Sequence, residues 1–188
     1  MPQRYAQLHG LREQDAHTEL TDRFASAAGN LEWYCLDHWS EQTGLEIKQL
    51  KWAHRYLIAY LPGVIEFLRL ARQRGKSLRI VTNAHPETVA IKIRQTRLDK
   101  YVDGIISSHE LDAAKESPSF WDRLRAHDPF DADRCVLFED NLDVLGTARE
   151  SGILNTLAIL CPDSCHPPRD LGDERSVDGL IDIIDTLN

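Results

Sequence analysis

Alternation between short apolar runs and helix-like segments, which begins at Leu61, is the feature of this sequence that most restricts its fold. Apolar runs of strand length, rich in β-branched and aromatic residues, lie at residues 78–81, 102–107, 135–138 and 155–160. Amphipathic stretches of helical period lie between them, and helix starts are expected at Pro62, Pro86 and Pro118. Strands that alternate with helices build a parallel sheet covered on both faces. The sequence therefore predicts an α/β fold.

The first 60 residues follow a different pattern. Their apolar residues recur at spacings of three and four without β-branched runs, which is typical of helices. Gly29-Asn30 and Thr43-Gly44 are candidate breaks between short helices. We therefore predict a helical unit at residues 1–60 and an α/β unit at residues 61–188, whose polar tail ends in a short helix at residues 177–187.

The charge of the chain excludes some classes of partner. The formal net charge is -8, and a protein that neutralises nucleic-acid phosphates needs clustered Lys and Arg, which this sequence lacks. No apolar run approaches the roughly 20 residues that span a bilayer, and the N-terminus lacks the organisation of a signal peptide. We therefore expect a cytoplasmic protein that acts on small molecules, without nucleic-acid or membrane partners. A homo-oligomer is compatible with the sequence.

The cysteines are interpreted as free thiols. A chain with this much apolar sequence does not need a disulfide framework, so a reducing compartment accounts for all of them. Cys161 and Cys165 stand close to His166 and offer the alternative of a zinc site, but their spacing matches no common zinc motif. We favour incidental thiols there, and we expect Cys135 to pack within a strand.

Polar residues that follow the predicted strands form the candidate site. Thr82-Asn83 ends the first strand, Glu139-Asp140 ends the third, and Lys115 lies in the loop after the second. In open parallel sheets the reactive groups collect at the carboxyl ends of the strands. A hydroxyl, an amide and a lysine suit a phosphate group, and carboxylates suit Mg²⁺. The pattern therefore predicts a site for phosphoryl-transfer chemistry.

Each of these residues also has a structural interpretation. Thr82-Asn83 is a common way to leave a strand, because both side chains satisfy local backbone groups. Lys115 taken alone is a solvated loop lysine. Glu139-Asp140 is harder to explain in this way, since adjacent acids repel one another unless a cation is near. We therefore favour a metal-binding role for this pair.

The same alternatives apply to the ring-bearing side chains. His85, which precedes Pro86, is interpreted as a turn residue, with a substrate contact as the alternative. Trp33, Tyr34 and Trp39 recur at helical spacing and are expected in the core of the helical unit, with stacking on a purine base as the alternative.

Three segments, taken in order, resemble a known family. Ile80-Val81-Thr82-Asn83, Lys115 followed by Trp121, and Phe138-Glu139-Asp140-Asn141 resemble the second, third and fourth motifs of the haloacid dehalogenase (HAD) superfamily of hydrolases. Further stretches are similar to the bacterial GMP/IMP nucleotidases: residues 31–42, 82–86 and 162–164. The resemblance covers nearly the whole chain and implies a Rossmann-like parallel sheet with a helical cap, here residues 1–60.

The resemblance also implies roles for the candidate residues. It implies a Mg²⁺-dependent phosphomonoesterase that acts on purine nucleoside monophosphates through an aspartyl-phosphate intermediate. Thr82 would bind the phosphate with support from Asn83, and Lys115 would neutralise its charge. Asp140, together with Glu139, would hold Mg²⁺ directly or through water.

One departure from the family concerns the nucleophile. Family members begin with a strand that ends in Asp-x-Asp-Gly-Thr, and these 188 residues hold no such segment. The Asp-x-Asp at Asp131 and Asp133 precedes a strand instead of following one, so we expect it at the wrong edge of the sheet. The strand that usually carries the motif lies between those that end at Thr82 and Asp140, and its absence would leave unpaired backbone groups facing each other across roughly 9–10 Å.

Three hypotheses account for this gap. We favour a truncated reading of a longer nucleotidase, whose upstream codons would encode the motif. A chain that has lost catalysis and acts as a nucleotide-binding or interaction module is the second. A fragment completed by a strand from a partner chain is the third.

Overall fold

The strands of the computed structural model, which describes residues 1–184, form two parallel sheets. The first sheet pairs β1 with β2 so that Thr82 lies beside Ser107. The second places β4 between β3 and β5, with Glu139 beside Ala158. The strands are β1 (Arg79–Thr82), β2 (Gly104–Ser107), β3 (Leu137–Glu139), β4 (Thr156–Ile159) and β5 (Ser176–Val177). The α/β fold with parallel pairing is thereby confirmed.

Helices fill the first part of the chain and alternate with the strands afterwards. They are α1 (Pro2–His9), α2 (Glu13–Ala27), α3 (Leu36–Thr43), α4 (Ile47–Ala53), α5 (Val64–Gln73), α6 (Pro86–Thr96), α7 (Pro118–His127) and α8 (Leu142–Glu150). Helices α1 to α4 enclose an apolar cluster of their own, built around Tyr5, Leu20 and Trp39. Two further clusters lie under the sheets. Among residues 1–184, no helix is long and apolar enough to cross a bilayer.

The tail differs from the prediction. Ser176–Val177 pairs with β4, so the predicted helix at residues 177–187 is wrong at its start, and a short 3-10 helix, Leu180–Ile183, follows. The last part of that prediction, residues 185–187, lies outside the described residues. A two-residue strand has too few positions to show a periodic pattern, so it could not be predicted from the residues alone.

Within residues 1–184, β1 and β3 belong to different sheets and are not hydrogen-bonded to one another. Val81 and Leu137 pack against one apolar cluster, and Ile80 and Phe138 pack against another, so both strands lie over the same cores. Yet all four residues stay partly exposed, whereas Ile106 in β2 is buried. Strands inside a covered parallel sheet are normally buried on both faces. Within the described residues, β1 and β3 therefore behave as two edges that face one another.

Gly63, which precedes α5, provides a stability test of the packing at the end of the described chain. Its φ is +75°, and a Cβ built there would lie 2.5 Å from Cβ of Ile181. We expect Gly63→Ala to lower the free energy of unfolding by about 2–4 kcal/mol, because it combines a left-handed backbone with a steric overlap. Urea denaturation measures this change.

Gly75→Ala is the matched control for that substitution. Gly75 has a similar φ of +68° but open space around a built Cβ, so the control carries the backbone cost alone. Equal losses in the two variants would show that residues near Ile181 do not pack on α5.

Candidate functional site

A cavity of about 630 Å³ lies between the helical segment and the carboxyl ends of β1 and β3. The candidate residues from the sequence all line it: Thr82, Asn83, His85, Lys115, Glu139 and Asp140. Aromatic side chains from the first 60 residues line the opposite wall: Phe24, Trp33, Tyr34 and Trp39. Asp131 and Asp133 are not among the lining residues, since they lie in a turn before β3. Polar side chains from the strand ends and their loops therefore line one part of the cavity, and aromatic side chains of the helical segment line another.

Lys115 is fixed at its backbone on both sides. Its N–H donates to Oδ1 of Asn83 at 2.9 Å, and its carbonyl oxygen accepts from Nε1 of Trp121 at 3.1 Å and from Oγ1 of Thr147 at 2.9 Å. The lysine itself is only 8% exposed. These contacts fix the backbone of Lys115 at the edge of the cavity, and its side chain is held separately by Glu139.

Glu139 is the ion-pair partner of Lys115. The Lys115 ammonium group donates to Oε2 of Glu139, while Oε1 accepts from the backbone N–H groups of Asp140 and Asn141, both at 3.1 Å. Burial raises the pKa of Glu139, and the charge of Lys115 opposes that shift. Both carboxylate oxygens of Glu139 therefore have protein partners, and Oε2 holds the Lys115 ammonium group.

Asp140 is the carboxylate of the pair that remains accessible. Its side chain is 45% exposed, and Oδ2 lies 3.3 Å from Nη2 of Arg169. Mg²⁺ is commonly held by one or two carboxylates together with substrate phosphate and water. Asp140 fits this requirement as a single ligand, whereas Glu139 fits only after its contact with Lys115 is broken.

Thr82 and Asn83 divide two tasks. Oγ1 of Thr82 accepts from the Ala84 N–H at 3.1 Å, which leaves the hydroxyl hydrogen free to donate to a ligand. The Asn83 side chain is buried. Its Oδ1 accepts from the Lys115 N–H, and its Nδ2 donates to Oε2 of Glu116 at 2.8 Å. Asn83 therefore positions its neighbours, and Thr82 is the group that can touch a ligand.

Glu116 is a central residue of the site that the sequence did not reveal. Oε1 of Glu116 accepts from the Tyr34 hydroxyl at 2.6 Å and from Nδ2 of Asn141 at 3.2 Å, and Oε2 accepts from Asn83. Burial, with this carboxylate beside it, raises the pKa of Tyr34. Glu116 thus links the helical segment to the loops after β1 and β3. In the sequence, the one indication that Glu116 belongs to the site is its position next to Lys115.

Replacing Glu116 by Gln should loosen this link. We expect Glu116→Gln to cost about 1–3 kcal/mol of the free energy of unfolding, because one of the three donors loses its acceptor in a partly buried place. The pKa of Tyr34 should also fall, since the anion that disfavours its ionised form is gone. Alkaline titration followed by ultraviolet absorbance, with Tyr34→Phe identifying the Tyr34 signal, measures the second effect. An unchanged Tyr34 titration would contradict the link.

His85 begins α6 and lies at the side of the cavity. Its Nδ1 accepts from the Glu87 N–H at 3.2 Å, and its Nε2 lies 3.4 Å from Oδ2 of Asp37. The ring centroid of His109 is 5.0 Å away. Burial and the neighbouring His85 lower the pKa of His109, so its neutral form is favoured. His85 is therefore a helix cap as well as a cavity residue.

The aromatic side chains of the helical segment that line the cavity pack against one another. Trp39 is buried, donates from Nε1 to the Trp33 carbonyl at 2.7 Å, and meets Phe24 edge-on at 4.6 Å. Trp33 and Tyr34 are only partly buried. Trp39 therefore belongs to the core of the helical segment, and Trp33 and Tyr34 are the rings that a base could reach.

Lysines not singled out from the sequence line the same cavity. Lys51 comes from α4 and Lys92 from α6. Partial burial, together with the charge of Lys92, lowers the pKa of Lys51. Like charges held together in a protein with a net charge of -8 favour an anionic ligand, because such a ligand relieves their repulsion.

Comparisons with known proteins identify the family of this chain. Residues 4–152 match the family model described as haloacid dehalogenase-like hydrolase. The chain is 30% identical to the GMP/IMP nucleotidase YrfG of Escherichia coli (strain K12), over 87% of this chain and 74% of the relative.

Solved structures share the fold. The HAD phosphatase of Thermococcus onnurineus superposes with a TM-score of 0.78 at 20% identity, covering 99% of this chain and 87% of that one. A HAD-family enzyme of Bacteroides thetaiotaomicron, crystallised with magnesium and inorganic phosphate, superposes with a TM-score of 0.55 at 17% identity, covering 69% and 70%.

Proposed function

Because this chain belongs to the haloacid dehalogenase-like hydrolase family, we propose that its cavity binds a phosphate monoester, with purine nucleoside monophosphates as the substrate class. The observation that carries the proposal is the convergence of Thr82, Lys115 and Asp140 in one cavity whose other lining groups include Lys51 and Lys92. Phosphate monoesters carry close to two negative charges at neutral pH, which this set of cations suits.

Each residue has a distinct part in the proposed site. The ammonium group of Lys115 neutralises the phosphate, and the free hydroxyl hydrogen of Thr82 donates to a phosphate oxygen. Glu139 and Asn83 keep Lys115 in place. We assign Asp140 as the protein ligand of Mg²⁺, which would supply further neutralisation of charge on the phosphate oxygens. The Bacteroides enzyme of similar fold was crystallised with magnesium and inorganic phosphate, which supports a site for both in this cavity.

The base would lie against the aromatic wall. Trp33 and Tyr34 are partly exposed to the cavity, and a purine ring gains from stacking on such rings. The relationship to the GMP/IMP nucleotidase supports a purine in preference to a pyrimidine. His85, at the side of the cavity, is the group we assign to contact the ribose or the base.

A second candidate function is nucleotide binding without turnover. The carboxylates that line the cavity are Glu116, Glu139 and Asp140. The first two accept hydrogen bonds on both oxygens, and Asp140 is the proposed metal ligand. Among the described residues, no further carboxylate faces Lys115 as a nucleophile would. Covalent catalysis of the family type therefore needs a carboxylate supplied from another segment or another chain.

Assays of the 188-residue chain separate the two functions. We expect GMP and IMP to bind in calorimetry, and Thr82→Val to weaken binding by about tenfold while Thr82→Ser retains it, because only the hydroxyl matters. Phosphate release from GMP, IMP and p-nitrophenyl phosphate with Mg²⁺ then tests for turnover. Binding without release favours the second function. Affinity that is equal in the wild type and the Thr82→Val variant would contradict the assigned site.

A further inference from the structure

A cluster of metal-ligating side chains lies at the side of the cavity and shares only His85 with the residues assigned to the proposed substrate. One ligand atom each from Cys35, His85 and His109 lies within 4.8 Å of the other two. Among residues 1–184, no other three Cys, His, Asp or Glu side chains come this close together. The cluster therefore differs from the Cys161, Cys165 and His166 combination that the sequence suggested.

Each of the three side chains is held by a different element. Cys35 caps α3 and accepts from the His38 N–H at 3.5 Å. His85 caps α6, as described above. His109 lies in the short 3-10 helix Ser108–Glu110 after β2, and its backbone N–H donates to Oγ of Ser107 at 3.3 Å. The helical segment and the loops after β1 and β2 thus contribute one group each.

One ring nitrogen of His109 has no hydrogen-bond partner among the described residues. Nε2 of His109 is buried and makes no hydrogen bond, although buried polar atoms in proteins are normally satisfied. A metal ion at the centre of the cluster would satisfy it. The Asp37 carboxylate, whose Oδ1 pairs with Lys48 at 2.8 Å, places its Oδ2 3.4 Å from Nε2 of His85 and so offers an oxygen beside the cluster.

We propose that Cys35, His85 and His109 bind one Zn²⁺ ion, which fastens the helical segment to the sheet edge beside the cavity. A thiolate with two imidazoles is a donor set that suits zinc, whereas Mg²⁺ prefers oxygen ligands. Tetrahedral bonds of about 2.0–2.3 Å put ligand atoms roughly 3.3–3.7 Å apart, so the three side chains need to close in by about an ångström. Water or Asp37 completes the coordination.

Binding requires two proton changes at the ligands. The Cys35 thiol releases its proton to solvent as the zinc–sulfur bond forms. His85 binds through Nε2, so the proton of its neutral ring moves from Nε2 to Nδ1 through solvent, and the hydrogen bond from the Glu87 N–H to Nδ1 is lost. His85 then no longer turns towards a ligand in the cavity. Zinc at this site therefore holds the helical segment closed and removes a proposed substrate contact.

Zinc binding to the reduced, metal-free chain tests the proposal. Competition with a chromophoric chelator should give one Zn²⁺ per chain, and Co²⁺ in its place should show a thiolate-to-cobalt charge-transfer band. Cys35→Ser should abolish the band and weaken zinc binding by more than the roughly 10–100-fold typical of losing an outer contact. Serine is itself a good helix cap, so this variant should fold. His109→Gln should weaken zinc binding to a similar extent.

Cys165→Ser is the matched control, because Cys165 is an exposed thiol outside the cluster. It should bind zinc as the wild type does. Zinc should also raise the midpoint of thermal unfolding of the wild type but not of Cys35→Ser. The proposal is overturned if no stoichiometric binding occurs, or if Cys35→Ser and His109→Gln bind zinc as tightly as the wild type. Loss of binding in Cys165→Ser would place the ion in the tail and overturn it as well.

Discussion

Replacing Lys115 by Met is expected to lower the free energy of unfolding by about 3–5 kcal/mol at neutral pH, because it leaves the buried carboxylate of Glu139 without its cation. The two side chains are 10% and 9% exposed, so water cannot replace the lost partner. Methionine keeps the length of the lysine side chain, which limits the effect of an empty space. Urea denaturation of both proteins measures the loss.

The loss should depend on pH in a defined direction. Burial raises the pKa of Glu139 even beside Lys115, and removing Lys115 raises it further. A carboxyl with a raised pKa in the folded state binds a proton there more tightly than in the unfolded state. The stability of the variant therefore falls as the pH rises above the ordinary Glu value of about 4.3, through the raised one. We expect a smaller deficit at about pH 5 than at about pH 8.

A double variant provides the control. Lys115→Met leaves the Glu139 carboxylate buried without a cation, and Glu139→Gln removes that carboxylate. The double variant should therefore recover most of the lost stability and lose its pH dependence. A deficit in Lys115→Met that is the same at every pH, or that Glu139→Gln does not relieve, would show that the ion pair does not stabilise the fold.

A strand supplied in trans is expected to bind between β1 and β3 and to bring a nucleophile to Lys115. Within the described residues, β1 and β3 each pair with a neighbour strand on one side only, and both pack on the same two apolar clusters. An extended apolar peptide that ends in Asp-x-Asp-Gly-Thr can pair with both edges at once. Its first aspartate would then enter the cavity at the carboxyl end of the sheet. We expect release of phosphate from GMP to rise by about 100-fold or more over the chain without peptide.

The matched peptide with Asn in place of the first Asp tests the chemistry. It should bind with similar affinity and give no turnover, because an amide is not a nucleophile towards phosphorus. Fluorescence anisotropy of labelled peptides measures binding, and phosphate release measures turnover. Binding of neither peptide would show that the space between the strands is closed to a strand, and equal turnover with both would exclude the proposed nucleophile.

The polar residues of the cavity could be predicted from the sequence because the end of a strand is a local feature. Thr82 and Glu139 each follow a run of apolar residues, and parallel pairing brings such positions to one edge. No comparable pattern marks Glu116 or Lys51. Glu116 meets Tyr34 across 82 positions of the chain, and such a contact depends on how the helical segment packs over the sheets.

The roles of individual side chains were harder to anticipate than their positions. Glu139 and Asp140 read as an equivalent pair in the sequence, yet the structure turns one to Lys115 and the other towards Arg169. The backbone direction after β3 separates them, since adjacent residues point to opposite sides. Cys35, His85 and His109 converge for the same reason that Glu116 and Tyr34 do, through packing between distant segments.

Calorimetric titration of GMP into the wild type and into the Lys115→Met/Glu139→Gln double variant is the most direct test of the phosphate site. The double variant should keep the fold, so a change in affinity reports on the cavity itself. We expect the wild type to bind GMP and the double variant to bind it at least about tenfold more weakly, because the variant lacks a charge-assisted contact to phosphate. Equal affinity in the two proteins would contradict it.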